Sequence, residues 1–279
     1  MNTLDERLAA LDAQLRPLPG VLVAFSGGVD SGVVLAAATR ALGAGRVVAA
    51  TAVSPSLPAA ERAAAARFGA SLGVRHEFPR TDELARAGYR ANAGDRCAFC
   101  KSELVDVLTP LAARLGIGDV VTGTNADDLT AGFRPGIAAA AARGAWAPLA
   151  RAGLTKDDVR AAARRWELPL ADKPAAACLA SRIAYGVPVS AEGLARVEHA
   201  EADLRAALEA AGLPVRDLRV RDLGADTARI EVDVTWVAEL TDRPDLLAAV
   251  RGFARVEVDP RGFRSGSMNE LLPDPVRYR

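Results

Sequence analysis

The stretch Val21–Ser31, VLVAFSGGVDS, decides the fold. Five apolar or small residues, Val21 to Phe25, suit a strand covered on both faces, as in a parallel sheet. Ser26-Gly27-Gly28 then permits a tight turn where a Cβ would collide, and the apolar run Val33 to Ala38 starts a helix. Such a junction offers N–H groups and the positive end of a helix dipole to an anion, so phosphate is the expected ligand. It is not the GxxxxGK[ST] loop, because no Lys follows the glycines. A glycine turn that binds nothing is the alternative, but six specific residues, SGGVDS, at the end of the first strand favour nucleotide chemistry.

The pattern continues downstream. Arg46 to Val53 reads as a second strand, 59–72 as a helix, 74–78 as a short third strand and 119–122 as another buried strand. Strands alternating with helices predict an α/β domain with a parallel sheet and ligands at the carboxyl ends of its strands. Thr51 to Ser54, with Ala52, then lies where backbone can touch adenine. GTNADD, Gly123 to Asp128, belongs beside the opening loop on the same edge. Gly123 permits close approach, and Asn125, Asp127 and Asp128 can hold a nucleotide or metal; an Asx-type turn capping a helix is the structural alternative. From 81 to 95 the periodicity weakens around Gly88, Asn92 and Gly94, which predicts a loop over the site, and a helix is expected over 102–115. Leu154 to Trp166 is an amphipathic helix with Thr155 as N-cap.

A domain boundary is expected at 186, giving domains 1–186 and 187–279. The second reads as a small α+β domain: a helix over 190–211, antiparallel strands over 216–220, 228–234 and 255–259, and a short helix over 245–252. Its tail, including Arg264 and Ser265, is rich in groups that bind phosphate or carboxylate.

At 279 residues and 50% hydrophobic content the chain is long and apolar enough for a folded core. Thirty-five basic and 35 acidic residues cancel, so the electrostatic footprint of a nucleic-acid binder is missing. No run approaches the roughly 18 apolar residues that span a bilayer, and the first residues read as a charged amphipathic helix rather than a signal peptide. A cytoplasmic enzyme with no membrane partner is the expectation. Three cysteines make a disulfide framework improbable in a reducing compartment.

Cys97 and Cys100 form a CxxC, which alone suits a redox pair, half a zinc site or two packed thiols. Cys178, far off in sequence, adds a third thiol between segments expected near the sheet edge. Three thiolates can hold three corners of an iron–sulfur cube and leave one iron open for an exchangeable sulfide. Zinc would need a fourth ligand such as His76 or His199, which lack finger spacing, and unliganded cysteines remain the third reading.

SGGVDS resembles the PP-loop of the ATP pyrophosphatase superfamily. That resemblance implies that Ser26, Gly27, Gly28 and Ser31 cradle the pyrophosphate end of ATP and that Asp30 helps place Mg²⁺. SGGVDS, RCAFCK, GTNADD with RPG, ACLASRIAYG, RVRDLG with ARIEV, and GFRSGSMNE, in this order, resemble the LarE family of ATP-dependent sulfur transferases of nickel-pincer nucleotide synthesis, over nearly the whole chain. The resemblance implies adenylation of the carboxylates of pyridinium-3,5-biscarboxylic acid mononucleotide and replacement of oxygen by sulfur. It implies a PP-loop domain that binds ATP, and the sheet-edge positions of Ala52, Gly123, Asn125 and Asp128 make them further candidates for that nucleotide. Carried onto matching positions, Ser181 and Arg182 lie near the reacting carboxylate, and Arg219 and Arg221 bind substrate phosphate. Glu201 (or Glu198) and Glu231 are divalent-metal or positioning candidates, or a solvated face. One version of the family sacrifices the sulfur of the cysteine at the Cys178 position. The other joins that cysteine to a CxxC to bind a [4Fe-4S] cluster, and Cys97, Cys100 and Cys178 resemble this version. The sulfur donor is not implied, and similar proteins form homo-oligomers. The rivals are a tRNA thiolase, against which the neutral charge argues, a PP-loop amidotransferase and a nucleotide-binding regulator without turnover.

Overall fold

A computed structural model describes residues 3–130, 135–174, 177–264 and 266–272. In chain order its first elements are α1 (Leu4–Leu15), β1 (Val21–Ala24), α2 (Val29–Leu42), β2 (Val47–Ala50), α3 (Ala59–Ser71), β3 (Arg75–Glu77), α4 (Ala87–Arg90) and α5 (Arg96–Arg114). There follow β4 (Asp119–Val121), α6 (Ala126–Thr130), α7 (Pro135–Ala141), α8 (Pro148–Arg151) and α9 (Lys156–Arg165). The last are α10 (Ala191–Ala210), β5 (Leu218–Asp222), β6 (Thr227–Val232), α11 (Val237–Thr241), α12 (Pro244–Leu247) and β7 (Arg255–Val258). Two compact units result, residues 3–83 with 97–174 and residues 84–96 with 177–272. The second unit thus begins ahead of the boundary expected at 186, and it takes in a segment from the middle of the first. No helix among the described residues is long and apolar enough to cross a membrane.

The first unit is α/β. Its four strands are all parallel, in the order β3-β2-β1-β4, with Val21 opposite both Val47 and Asp119. Alternate residues of β1 feed opposite cores. Val21 and Val23 pack, with the following Phe25, against α1, α2, α9 and Phe68 of α3, while Leu22 and Ala24 meet Val105, Leu108 and Leu111 of α5. Both faces are dry, which explains an unbroken apolar run rather than alternation. From β1 the chain steps outward to β2 and β3, then returns to the other side of β1 for β4. The strand order therefore reverses at β1/β4, the crevice where open parallel sheets bind ligands.

Helix α5 starts at Arg96, earlier than the expected 102, so RCAFCK forms its first turns. No Gly or Pro separates Arg96 from Ser102, and Ala98, Lys101 and Glu103 favour helix, so nothing stops it from extending backwards.

In the second unit, β5 and β6 are antiparallel with Leu218 opposite Val232. β6 and β7 are parallel, with Thr227 opposite Arg255, which corrects the antiparallel expectation. A parallel neighbour needs a crossover, and α11 and α12 in the 233–254 connection supply it. Ala200, Leu204 and Leu208 of α10 pack on Leu218, Val220, Ile230 and Val232.

The segment expected to be a loop over the site, 81–95, instead belongs largely to the second unit, as a strap anchored by a few buried residues. Tyr89 is buried and Asn92 fully so, at a left-handed φ of 52°. Asn92 Nδ2 donates to the carbonyls of Ala184 and Val187, both at 2.8 Å, and its Oδ1 accepts from Arg96, which also donates to Ala180 O at 2.8 Å. Replacing Asn92 by Ala strands these buried groups. Asn92→Ala is expected to destabilise the fold by about 2–4 kcal/mol, seen as a lower urea midpoint at unchanged slope.

Candidate active site

Strand β1 ends in a loop whose shape is set by its own side chains. Gly27 takes φ 77°, which a Cβ would disfavour. Ser31 Oγ accepts from Ser26 N at 3.2 Å and donates to Gly28 O at 3.2 Å, so Ser26 Oγ, 3.1 Å away, donates to it. Gly28 is the N-cap of the 14-residue α2, and among the described residues no side chain caps this end. The backbone donors of the first turn are thus left without a capping side chain among the described residues, the arrangement that suits an anion. Ala52 lies just past β2 on the same edge.

The loop after β4 reaches this helix end because Gly123 has no side chain. A Cβ there would stand 2.6 Å from Ser31 N and 2.8 Å from Ser31 Cα. Asn125 Nδ2 consequently donates to Asp30 Oδ1 at 3.1 Å. Asn125 and Asp128 also cap α6 reciprocally, each backbone N–H donating to the other's side chain at 3.1–3.2 Å. Asn125 therefore serves the site and the turn together, and Asp128 holds the turn.

Two lysines complete the site that the sequence alone does not single out. Lys156, first residue of α9, places Nζ 2.5 Å from Asp30 Oδ2, while its backbone N–H donates to Asp127 at 2.7 Å. Lys173 Nζ donates to Gly27 O at 2.9 Å and to Glu61 at 2.6 Å. Their partners lie 126 and 112 positions or more away, so no local signal marks them. Asp30 and the serine hydroxyls are hard oxygen donors. One carboxylate beside a phosphate cradle suits Mg²⁺, which takes few protein ligands and the rest from phosphates.

His76 packs behind the loop. Thr51 Oγ1 donates to Phe25 O at 2.7 Å and so accepts from His76 Nε2 at 2.9 Å. The ring stacks on Phe78 at 4.1 Å, its Nδ1 has no hydrogen-bond partner among the described residues, and burial pushes its pKa down. It is a half-buried packing group behind the loop, and His199 is exposed on α10.

In the second unit three buried arginines face two carboxylates. Arg182 grips both oxygens of Glu201 at 2.8 and 3.0 Å, and Nη1 donates to the carbonyls of Ala177 at 2.7 Å and Cys178 at 3.2 Å. Arg221 Nη2 is 2.6 Å from Glu231, whose other oxygen accepts from Ser267, and Arg221 Nη1 donates to Ser181 O at 3.1 Å. Glu201 and Glu231 are thus salt-bridged in the interior rather than forming a solvated face. Arg219 lies with its guanidinium 5.1 Å over Phe263 and donates to Leu218 O at 2.7 Å. Burial, and next the charge of Arg182, push its pKa down to about 10 against the opposing pull of Glu201. It stays cationic at neutral pH. Three guanidiniums against two carboxylates leave a net positive charge, which suits a phosphate. Arg264 pairs with Glu270 at 3.3 Å, and Ser265 lies outside the described residues.

Cys97 and Cys100 sit three apart in the first turns of α5, in the first unit. Gly136 of α7 packs against this turn, where a Cβ would meet Cys97 O at 3.0 Å. Cys178 precedes the short 3₁₀ turn Leu179–Arg182 in the second unit. Cys97 and Cys178 are exposed, Cys100 is half-buried, and none is in a disulfide. Among the described residues no three His, Cys, Asp or Glu side chains are gathered as a metal-holding group.

No protein-family model matches the chain. An uncharacterized protein of Synechocystis sp. is 40% identical over 274 residues, covering 96% of this chain and 99% of that protein. The pyridinium-3,5-bisthiocarboxylic acid mononucleotide synthase of Lactiplantibacillus plantarum is 33% identical over 275 residues, 98% of this chain and 97% of that enzyme. An uncharacterized protein of Methanocaldococcus jannaschii is 28% identical over 176 residues, 62% of this chain and 66% of that protein. With that identity sustained along both full lengths, and with the nucleotide-type loop at the β1/β4 crevice, the chain belongs to the LarE family, that of the pyridinium-3,5-bisthiocarboxylic acid mononucleotide synthases.

Proposed function

We propose that this chain is an ATP-dependent sulfur transferase that converts carboxylates of pyridinium-3,5-biscarboxylic acid mononucleotide to thiocarboxylates. The observation that carries this reading is the near full-length identity to a synthase named for the dithio product. The uncapped amino end of α2 supports it, since it is suited to a polyphosphate.

A substrate carboxylate oxygen attacks the α-phosphorus of ATP, the bond to the β-phosphate oxygen breaks, and pyrophosphate leaves. The resulting acyl adenylate has AMP as a good leaving group, and a sulfur nucleophile then displaces it at the carboxyl carbon. Ser26, Gly27, Gly28 and Ser31 hold the departing pyrophosphate through hydroxyls and backbone N–H groups, with Gly123, Asn125, Asp128 and Ala52 shaping the nucleotide site. Asp30 would hold Mg²⁺, which would supply positive charge at the leaving pyrophosphate. Arg219 and Arg221 bind the phosphate of the substrate, with Arg264 and Ser265 on the same anion, while Arg182 fixes the backbone at Cys178 and orients Ser181 toward the reacting carboxylate.

The thiols of Cys97, Cys100 and Cys178 are the ligands of a [4Fe-4S] cluster, in keeping with three thiols outside any disulfide. When bound, such a cluster would supply sulfide-level sulfur for transfer to the substrate. Glu201 and Glu231, engaged by arginines, position substrate-binding groups rather than bind a divalent metal. The enzyme acts on a small nucleotide in the cytoplasm, as a homo-oligomer, supplied by a separate sulfur donor.

With ATP, Mg²⁺ and the dicarboxylate mononucleotide, pyrophosphate release is expected to depend on the substrate. Asp30→Ala removes that release at unchanged thermal midpoint, and normal release would defeat the assignment of the loop. Anaerobic reconstitution is expected to load iron and sulfide in the native chain, and Cys97→Ala loses them. Dehydroalanine at Cys178 after turnover, read by mass spectrometry, would instead establish sacrifice of that sulfur. Arg219→Gln is expected to raise KM for the mononucleotide about tenfold or more, the scale of one charge-assisted contact.

A further inference from the structure

Asp30 has both carboxylate oxygens engaged, one by Asn125 and the other by the ammonium of Lys156. The ion pair is part-exposed, with 25% of the Asp30 side chain and 37% of the Lys156 side chain accessible, so solvent and small ions reach it. Lys156 occupies the first position of the 10-residue α9, where the helix dipole disfavours a cation. Its backbone needs are met elsewhere, since its N–H is held by Asp127 and the helix end is boxed by Thr155 and Asp158. Helix α9 therefore has no use for a lysine here. Asp30 explains it.

We infer that Lys156 is the resting counter-ion of Asp30, keeping a divalent cation off this carboxylate until a polyphosphate arrives. The inference rests on the reading of the loop as a nucleotide site. In the nucleotide-free protein the ammonium and the cation compete for the same oxygen. A bound polyphosphate offers Lys156 other anionic oxygens, and the long flexible side chain moves to them while the helix stays in place. Asp30 is then open to the metal, so cation and nucleotide bind as an obligate pair. Asn125 stays on the other oxygen and keeps the carboxylate aimed at the loop.

The test is Mn²⁺ binding, read from the loss of the free-ion signal in electron paramagnetic resonance, with no catalysis involved. Native protein without nucleotide is expected to bind Mn²⁺ no better than its Asp30→Asn variant, and α,β-methylene-ATP brings one tightly held Mn²⁺. Lys156→Gln is expected to bind Mn²⁺ about tenfold more tightly than native protein in the absence of nucleotide, a gain of roughly 1.4 kcal/mol, and to lose it when Asp30→Asn is added. Lys156→Arg keeps the charge and behaves as native. Should Lys156→Gln fail to fold by circular dichroism, Lys156→Ala replaces it, and if both fail the native-protein arm decides alone. Native protein that binds Mn²⁺ through Asp30 without nucleotide, or a neutral variant with no gain, overturns the inference while leaving the nucleotide site standing. Failure of α,β-methylene-ATP to bring Mn²⁺ to any of the proteins overturns the nucleotide reading itself.

Discussion

The first unit depends on one close approach, that of Gly123 to the backbone of Ser31. Strand order brings β4 beside β1, but adjacency of strands does not bring their following loops into contact. The missing Cβ does. It lets the backbone after β4 lie on the first turn of α2, and this places the amide of Asn125 on Asp30. A methyl at residue 123 would clash with main-chain atoms on α2, which are fixed by helix hydrogen bonds and have no rotamer to yield. The reversal of strand order, the uncapped helix end and the polar residues of the second loop converge because of that single contact.

The second unit solves a different problem, that of holding cationic groups in a dry interior. A buried ion pair gains little net stability over an apolar pair, because removing two charges from water offsets their attraction. Arg182–Glu201 and Arg221–Glu231 are therefore poorly explained as stabilisers. Each guanidinium also reaches main-chain carbonyls, Arg182 those of Ala177 and Cys178, Arg221 that of Ser181. The pairs fix the path of residues 177–182, which have few other backbone bonds, and the carboxylates fix the arginines. Arg219, its pKa pushed down to about 10 by burial first and by the charge of Arg182 second, carries the signature of that dry interior.

The first sheet was legible in sequence because strands buried on both faces must be apolar throughout, and VLVA and VVAA leave no other reading. The Thr155 cap was legible for a similarly local reason: an N-cap hydroxyl and an acidic residue three positions on are adjacent in sequence and in space. The direction of β7 was not, since nothing in RVEV says which way a neighbour runs; only the helical crossover before it does. The strap at 84–96 looked like a loop because its stabilising groups, Asn92 and Arg96, are polar and satisfy carbonyls some ninety positions away. Lys156 and Lys173 escaped for the same reason. A lysine in a helix or a turn looks solvated until its distant carboxylate is known.

The hydroxyls of Ser26 and Ser31 have a consequence for how an anion is met. Their hydrogen bonds to one another and to Ser26 N and Gly28 O tie the loop into its curve before any ligand is present. Ordering a backbone residue costs roughly 1–2 kcal/mol of entropy, and a slack glycine loop would surrender that for each residue at the moment of capture. Here the loss falls on folding, where the rest of the sheet bears it. Association then draws on a stiff receptor, and its heat should reflect contacts made rather than chain ordered.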